Sequence, residues 1–452
     1  FFVSLISLWG IIVSVLSFIN STQQLLPCFV LLTGISFIGI SWILFWKARQ
    51  YDKEKIISII FIAALFVRIG TILCSPFTNQ FVDLCMDQDM GQLIINNVNP
   101  YNFYDNVILR NQLRVDERAY TYFTGLNQEN WNYHAGSQLP LLELMMGWIE
   151  SLASHSFAYR AVFSWFDSLL CIYILLIANQ KWKTPIHFSF FGKIFFKKRT
   201  PEQVLILYIV CVSVIAPILL RSGTLVASFK GSMTLFTLCA IFFSYQKSKQ
   251  DYLFLSAFFL GFSTAFMAIS VLALPLILHN LYYSENTNSK RISSLLAYTF
   301  ISLLSCLVWF IPFYDTLFSM IQHRLEAGIN MPIHGSIWRF VSLTLPQHWQ
   351  LLKLWITILF VLINLFGFWK KQLSWEILTS SIFILFLHLL TIDGSMDRIN
   401  ISLMICIILF GISQRLVYHT LIPIYFWGGA ILVLLSLILG ISEKIFQRNF
   451  IE

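Results

Sequence analysis

Long apolar runs recur along the whole of this sequence and constrain its fold more than any other feature. A helix that crosses the hydrocarbon core of a bilayer needs about 20 mostly apolar residues. The run at 252–283 is too long for one crossing and is interpreted as a broken or re-entrant pair. The pattern predicts an all-α polytopic membrane protein with about 11 to 13 transmembrane helices. The other runs lie at 2–19, 25–46, 56–74, 157–178, 203–220, 231–246, 293–313, 352–369, 375–391, 399–412 and 421–440.

The composition agrees with a membrane protein and excludes an ordinary soluble domain. Only 12% of the 452 residues are charged, whereas soluble proteins average about 25%. Aromatic residues make up 16% of the chain, as expected for lipid-facing surfaces and interfacial belts. We therefore treat residues 1–452 as a single transmembrane domain. Since the chain begins at Phe1 and not at Met, we expect residues before it and do not interpret the first run as a signal peptide.

The net charge of +8 comes from basic residues in short loops between the apolar runs. Loops rich in Lys and Arg stay on the cytoplasmic side of a membrane, so these loops are predicted to lie inside. The basic residues do not alternate with aromatic residues along a soluble face, so we expect membrane lipids and no nucleic acid as partners. The basic clusters lie at 47–55, 181–199, 247–249, 290–291 and 370–371.

Alternation of the helices places two long loops, 75–137 and 314–346, on the outer side. The first loop carries seven acidic residues against three arginines, and it is far longer than the about 2–8 residues that usually connect helices in a bundle. Apolar residues recur at helical spacing over 87–98, which predicts a short amphipathic helix on the membrane surface that ends at Pro100. A second surface helix is predicted at 103–122. We expect the first outer loop to carry the functional site.

Several polar and aromatic segments follow one another in a fixed order along the chain. Asp83 follows an early helix, and the Pro100-Tyr101 pair comes after Asp83. An aromatic segment containing a proline then leads into the next membrane segment at 131–148. Further segments lie at 159–175, 216–243, 260–278 and 394–409. Taken together, in this order and spacing, they resemble membrane glycosyltransferases of the GT-C type, especially the bacterial polyprenyl-phosphate-dependent enzymes and related mannosyltransferases.

The chain also departs from this family at two places. Family members often have an acidic or amide residue in the turn before residue 231, where this chain has Phe229-Lys230. They often carry a lysine in the helix at 260–278, where this chain has Met267 and Ser270. Both departures concern the identity of the sugar donor.

The resemblance implies an inverting glycosyltransferase that works on the non-cytoplasmic face of a membrane. Such an enzyme moves a sugar from a polyprenyl-phosphate carrier to a hydroxyl group of a glycan, lipid or protein acceptor. The bacterial plasma membrane is the favoured location, and the endoplasmic reticulum membrane is the alternative.

This chemistry needs one carboxylate close to the acceptor hydroxyl, where it accepts the proton as the new bond forms. Asp83 is the first choice as this base, with Asp87 and Asp89 as alternatives. The other interpretations are that Asp83 is solvated or caps a helix, and that Asp87 and Asp89 cap the surface helix. No cofactor is required, although the three carboxylates together could bind a divalent metal such as Mg²⁺ or Mn²⁺.

The lipid phosphate needs cationic groups that stabilise the charge building on it. Arg398 is the first choice, because a buried arginine at the start of an apolar run is costly unless it has a partner or faces a cavity. Its alternative role is to reach the lipid headgroups. Other outer cations proposed for the phosphate are Lys230 and Arg221. The candidates for substrate binding are Tyr101, His134, His334, Trp338 and Arg339.

Ionisable residues inside apolar segments, namely Glu143 and Asp167, also suggest function. Asp167 has a structural alternative, which is pairing with Arg160 on the same helix face. Two other classes of protein remain open. A transporter or flippase for lipid-linked glycans would need more paired ionisable groups at the middle of the membrane. An O-antigen-type polymerase or ligase would depend on outer-loop arginines and a histidine more than on a carboxylate.

The topology can be tested by labelling single cysteines with a membrane-impermeant maleimide. Cysteines placed in 75–137 and 314–346 should react from the outside, and a cysteine at residue 190 should react only after the membrane is opened. Labelling of residue 190 from the outside would contradict the whole scheme.

Overall fold

The structure, a computed structural model, describes eight α-helices and the short segments beside them. In this part of the chain every regular element is helical, and four helices are long and apolar enough to cross a membrane. The protein is therefore an α-helical membrane protein, and the total of 11 to 13 helices stays a prediction. The described residues are 25–50, 54–74, 82–101, 139–181, 229–244, 250–274 and 288–316, with shorter pieces at 224, 246, 277–278, 281–282, 348, 351–352 and 355.

Five predicted apolar runs, those starting at residues 25, 56, 157, 231 and 293, are confirmed as helices. The helices are α1 Leu25–Arg49, α2 Glu54–Cys74, α3 Val82–Ile95, α4 Pro140–Leu152, α5 Ser156–Lys181, α6 Lys230–Ser244, α7 Gln250–Phe266 and α8 Asn288–Leu307. Short 3₁₀ helices follow α7 at Ala268–Ala273 and α8 at Val308–Phe313. The predicted runs at 2–19, 203–220, 375–391, 399–412 and 421–440, most of the run at 352–369, and the surface helix at 103–122 lie outside the described residues.

The contacts divide the chain into two compact units that share helices. Unit 1 consists of Phe1–Lys47, Phe77–Val162 and Ser232–Met331, and unit 2 consists of Ala48–Pro76, Phe163–Gly231 and Pro332–Glu452. Helix α5 begins in unit 1 and continues in unit 2, and α6 begins at the end of unit 2 and continues in unit 1.

Aromatic side chains fill the core of unit 1. The Phe37 ring on α1 stacks on the Trp148 indole of α4 at 6.0 Å between ring centroids. It also meets Phe262 of α7 edge to face at 5.3 Å, and Phe262 packs against Phe236 of α6 at 5.1 Å. Aromatic pairs in these geometries contribute about 0.5–1.5 kcal/mol beyond their buried area. This cluster joins four helices around a single aromatic core.

The predicted break in the long run at 252–283 is observed. Helix α7 ends at Phe266, Met267 is extended (φ −156°, ψ 123°), and the first 3₁₀ helix follows. Three buried hydroxyl groups bond to one another beside the break: Ser263 lies 2.7 Å from both Thr237 and Ser270, and Thr237 lies 3.0 Å from Ser270. The backbone at the break has its own partners, since the Met267 N–H donates to the Ser263 carbonyl at 2.9 Å and the Ser270 N–H donates to the Met267 carbonyl at 3.1 Å.

Helix α3 begins and ends earlier than the sequence predicts. It starts at Val82, not near residue 87, and it ends at Ile95, before Pro100. Asn97 has a positive φ of 60°, and the Val98 N–H donates to the Leu93 carbonyl at 2.9 Å. This is a Schellman motif, so an asparagine in the left-handed region ends the helix and not the proline. The predicted apolar positions Met90, Leu93 and Ile94 are buried within the protein.

Two segments that are predicted to lie outside meet in unit 1. The Asn99 side-chain amide donates to the Thr316 hydroxyl at 3.2 Å, and the Tyr101 ring meets Phe313 edge to face at 5.1 Å. The described parts of the loops 75–137 and 314–346 are therefore neighbours.

A contact also forms in a segment predicted to be cytoplasmic, where the Lys47 ammonium lies 5.1 Å from the Tyr252 ring centroid.

Helices α7 and α8 pack closely at Gly261. A Cβ atom at Gly261 would collide with the backbone carbonyl oxygen of Ser302. The Ser302 hydroxyl in turn donates to the Ala257 carbonyl at 3.0 Å. Small residues allow this kind of close approach between helices in membranes.

Gly261→Ala should therefore lower the free energy of unfolding by about 1–3 kcal/mol, because a backbone carbonyl cannot move aside for the new methyl group. Gly70→Ala is the matched control, since a Cβ at Gly70 would meet nothing within 4 Å. The control should be neutral or slightly stabilising. Unfolding in detergent measures the free energy of unfolding of both variants, and equal stability of the two would contradict the close contact.

Candidate functional site

Helix α3, which carries the three aspartates, packs against α4 in unit 1. Two glycines allow the close approach. A Cβ at Gly91 would lie 2.9 Å from the Met146 carbonyl oxygen and 2.9 Å from the Glu150 Cβ. A Cβ at Gly147 would collide with the Ile94 side chain. Because each helix contributes a glycine, the two backbones meet directly and their rotation about their own axes is fixed.

The aspartates have different places on α3. Asp83 lies in the first turn, and Asp87 and Asp89 lie inside the helix, so neither of the latter two occupies the N-terminal cap. The interpretation of Asp87 and Asp89 as caps is wrong, because α3 starts at Val82. The Asp87 side chain is buried, with 6% of its surface exposed. Asp87 lies four residues before Gly91 and therefore shares the α3 face that meets α4.

Helix α4 brings two further acidic side chains into the same unit. Glu143 is fully buried and Glu150 is 3% exposed. Arg160, at the start of α5, is also buried in unit 1. Burying a carboxylate costs several kcal/mol unless it is paired or hydrogen-bonded. Buried ionisable groups are enriched at functional sites, so these carboxylates are candidates for function.

Glu150 joins three helices through hydrogen bonds. The Tyr159 hydroxyl of α5 donates to its Oε2 at 2.7 Å, and the Gln92 side-chain amide of α3 donates to its Oε1. The same Gln92 nitrogen also donates to the Ser154 hydroxyl at 3.2 Å. The sequence interpretation did not single out Gln92, Glu150 or Tyr159. The available signal was an acid, Glu150, at the end of an otherwise apolar segment.

A second buried charged group lies in unit 2. Arg68 of α2 is fully buried, and it donates to the Ala64 carbonyl at 3.1 Å and to the Cys171 sulfur at 3.6 Å. Asp167 of α5 is 1% exposed, and the positive charge of Arg68 attracts its carboxylate. Among the described residues no hydrogen bond reaches either Asp167 oxygen. The charge of Arg68 therefore acts on Asp167, and the sequence interpretation missed Arg68 although it is a lone arginine in an apolar run.

The Asp167 carboxylate lies against the N-terminus of α6. A Cβ at Gly231 would collide with this carboxylate, so a larger residue there would force the Asp167 side chain to move. A negative charge is favourable at a helix N-terminus because of the helix dipole. Nearby, the Ser164 hydroxyl of α5 donates to the Thr224 hydroxyl at 3.2 Å.

The remaining predicted site residues are only partly described. Tyr101 is buried against Phe313, and Lys230 is the first residue of α6. Among the described side chains, no three of the types His, Cys, Asp and Glu come together as metal ligands. Outside the described residues lie Arg398, Arg221, His134, His334, Trp338 and Arg339.

Comparisons with known proteins identify no relative. The chain has no significant match among protein-family models, curated proteins or solved structures.

The effects of Arg68 and Asp167 on the free energy of unfolding should depend on each other. Arg68→Met leaves a buried carboxylate uncompensated and should lower the free energy of unfolding by about 3–5 kcal/mol. Adding Asp167→Asn should recover most of that loss, because the double variant has no isolated charge. Unfolding of the single and double variants in detergent measures this coupling, with Arg49→Met on the exposed end of α1 as the control. Additive losses in the double variant would contradict it.

Proposed function

We propose that this protein is an inverting glycosyltransferase of the GT-C type that uses a polyprenyl-phosphate sugar as donor. The observation that carries the proposal is the acidic helix pair of unit 1. Asp87 is buried on α3, Glu143 and Glu150 are buried on α4, and the two helices pack against each other. Helix α3 also carries Asp83 and Asp89. A protein with few charges has no structural need to bury so many carboxylates together, since apolar residues of similar volume would stabilise it as well.

The reaction assigns one role to a carboxylate of α3. The acceptor hydroxyl attacks the anomeric carbon of the sugar, the bond from that carbon to the phosphate oxygen breaks, and the hydroxyl proton passes to the carboxylate. The polyprenyl phosphate leaves with the bonding electron pair. Because phosphate is already a weakly basic leaving group, a second carboxyl group of the glycosidase kind is not needed. Asp83 remains the first choice as the base, with Asp87 and Asp89 as alternatives.

The donor phosphate requires a cation on the same side. The position of Asp167 disfavours Lys230 for this role, since its carboxylate already lies against the N-terminus of α6 beside Gly231. A phosphate there would meet a like charge. Arg398 is the preferred phosphate ligand, with Arg221 as the next choice. The acceptor is a hydroxyl of a glycan, lipid or protein, and the site faces the non-cytoplasmic side of a bacterial plasma membrane or of the endoplasmic reticulum.

A transporter or flippase for lipid-linked glycans is the second candidate, and unit 2 provides the observation in its favour. Arg68 and Asp167 are both buried within helices long enough to span a membrane. Interacting charges at such depth are typical of transport pathways and proton relays. A flippase would move the lipid-linked sugar across the membrane without breaking its bond to phosphate.

Asp83→Asn tests the base directly. Asparagine keeps the size of the side chain and one acceptor oxygen, but it cannot take up the proton. If Asp83 is the base, sugar transfer should slow by about 10²–10⁴-fold with donor binding nearly unchanged. Turnover and donor affinity in a lipid-linked sugar transfer assay measure this.

Asp87→Asn and Asp89→Asn are the matched controls, since they remove the same charge from the same helix. Loss of activity in one of these alone would move the role of base to that residue. Small effects in all three, together with a large loss in Arg398→Ala, would favour the polymerase or ligase class, which depends on outer-loop arginines.

A further inference from the structure

We propose that Glu150 is a positioning residue for the reaction, and that its carboxylate holds α3 so that the base on this helix faces the acceptor. The inference rests on the proposed function. We call Gln92, Glu150 and Tyr159 together the clamp, because they hold the base in position.

The Glu150 carboxylate is placed between three helices. Glu150 lies on α4, and its two oxygens accept hydrogen bonds from different helices, one from Gln92 on α3 and one from Tyr159 on α5. A single buried carboxylate thereby joins the acid-bearing helix to both neighbours. Hydrogen bonds to a charged acceptor are shorter and stronger than neutral ones, and they lose strength when their direction changes.

The contact at Gly91 limits the rotation of α3 about its own axis. Gly91 precedes Gln92 and packs without a side chain against Met146 and Glu150. This contact permits only one face of α3 to meet α4. Asp87 lies one turn before Gly91 on that face and is buried. The clamp and the glycine contact together therefore determine how α3 is rotated against α4, with Asp87 turned into the protein.

The buried Glu150 carboxylate serves geometry more than stability. A buried carboxylate contributes less to stability than well-packed apolar side chains of the same volume. Its better-attested use is to specify one arrangement among several packings of similar stability. An error of about 1 Å in the position of a catalytic group can cost on the order of 10²-fold in rate. A clamp of this kind therefore acts on the rate of transfer more than on folding.

Tyr159→Phe is the first test, because it removes one donor to Glu150 and keeps the ring. We expect kcat for sugar transfer to fall by about 10- to 100-fold, with donor KM within a factor of about three of its normal value. Tyr298→Phe is the matched control: its buried hydroxyl lies 3.1 Å from the Ser256 hydroxyl, between α8 and α7. A merely structural role predicts equal losses of stability and activity in both variants.

The second test exchanges the two polar groups. Glu150→Gln should lower kcat, since an amide cannot accept both hydrogen bonds. The double variant Gln92→Glu with Glu150→Gln restores a carboxylate and an amide in contact and should recover most of that loss. Failure of the exchange to recover kcat would overturn the clamp.

The outcomes separate the two proposals. If no polyprenyl-phosphate sugar is transferred by the unaltered protein, both the proposed function and the clamp are wrong. If transfer occurs and an aspartate of α3 is essential, but Tyr159→Phe behaves like Tyr298→Phe, the clamp alone is wrong. A selective loss in Tyr159→Phe with recovery in the exchange variant supports both.

Discussion

The direct contact between the backbones of α3 and α4 is the constraint on which the arrangement of unit 1 depends. Gly91 of α3 allows it by packing against the Met146 carbonyl, and Gly147 of α4 leaves room for the Ile94 side chain of α3. Their missing side chains bring Glu150 within reach of Gln92, and they turn the Asp87 face of α3 into the protein. Close packing at the glycines and the hydrogen bonds of Glu150 together hold the two helices in one arrangement.

Both units bury charged side chains, but these side chains have different partners in the two units. In unit 1, the acid Glu150 has hydrogen-bond donors from two helices. In unit 2, Asp167 relies on the field of Arg68 and on the N-terminus of α6, without a hydrogen bond from the described residues. The first arrangement specifies a rigid geometry. The second arrangement places two buried charged side chains in helices long enough to span a membrane, which is why a transport role remains the alternative.

Within the described residues, apolar runs predicted the membrane helices, because a spanning helix satisfies its backbone internally and its side chains must suit the lipid. The α1 and α2 runs are examples. Apolar periodicity failed at α3, where Asn97 and not Pro100 ends the helix, since a Schellman motif depends on one backbone angle and leaves little trace in sequence. Likewise, Arg68 is visible as a lone charge, but its partner Asp167 is about a hundred residues away and only the fold pairs them. Contacts between distant residues, such as Gln92 with Glu150, are set by tertiary packing.

The central claim is that the protein breaks the bond between a sugar and a polyprenyl phosphate. It is tested most directly with the purified protein in vesicles that contain a panel of polyprenyl-phosphate sugars labelled in both the sugar and the lipid phosphate. The account predicts that at least one labelled sugar passes to an acceptor hydroxyl while an equal amount of free polyprenyl phosphate appears. Movement of the intact lipid-linked sugar across the membrane, with both labels still joined, would contradict it.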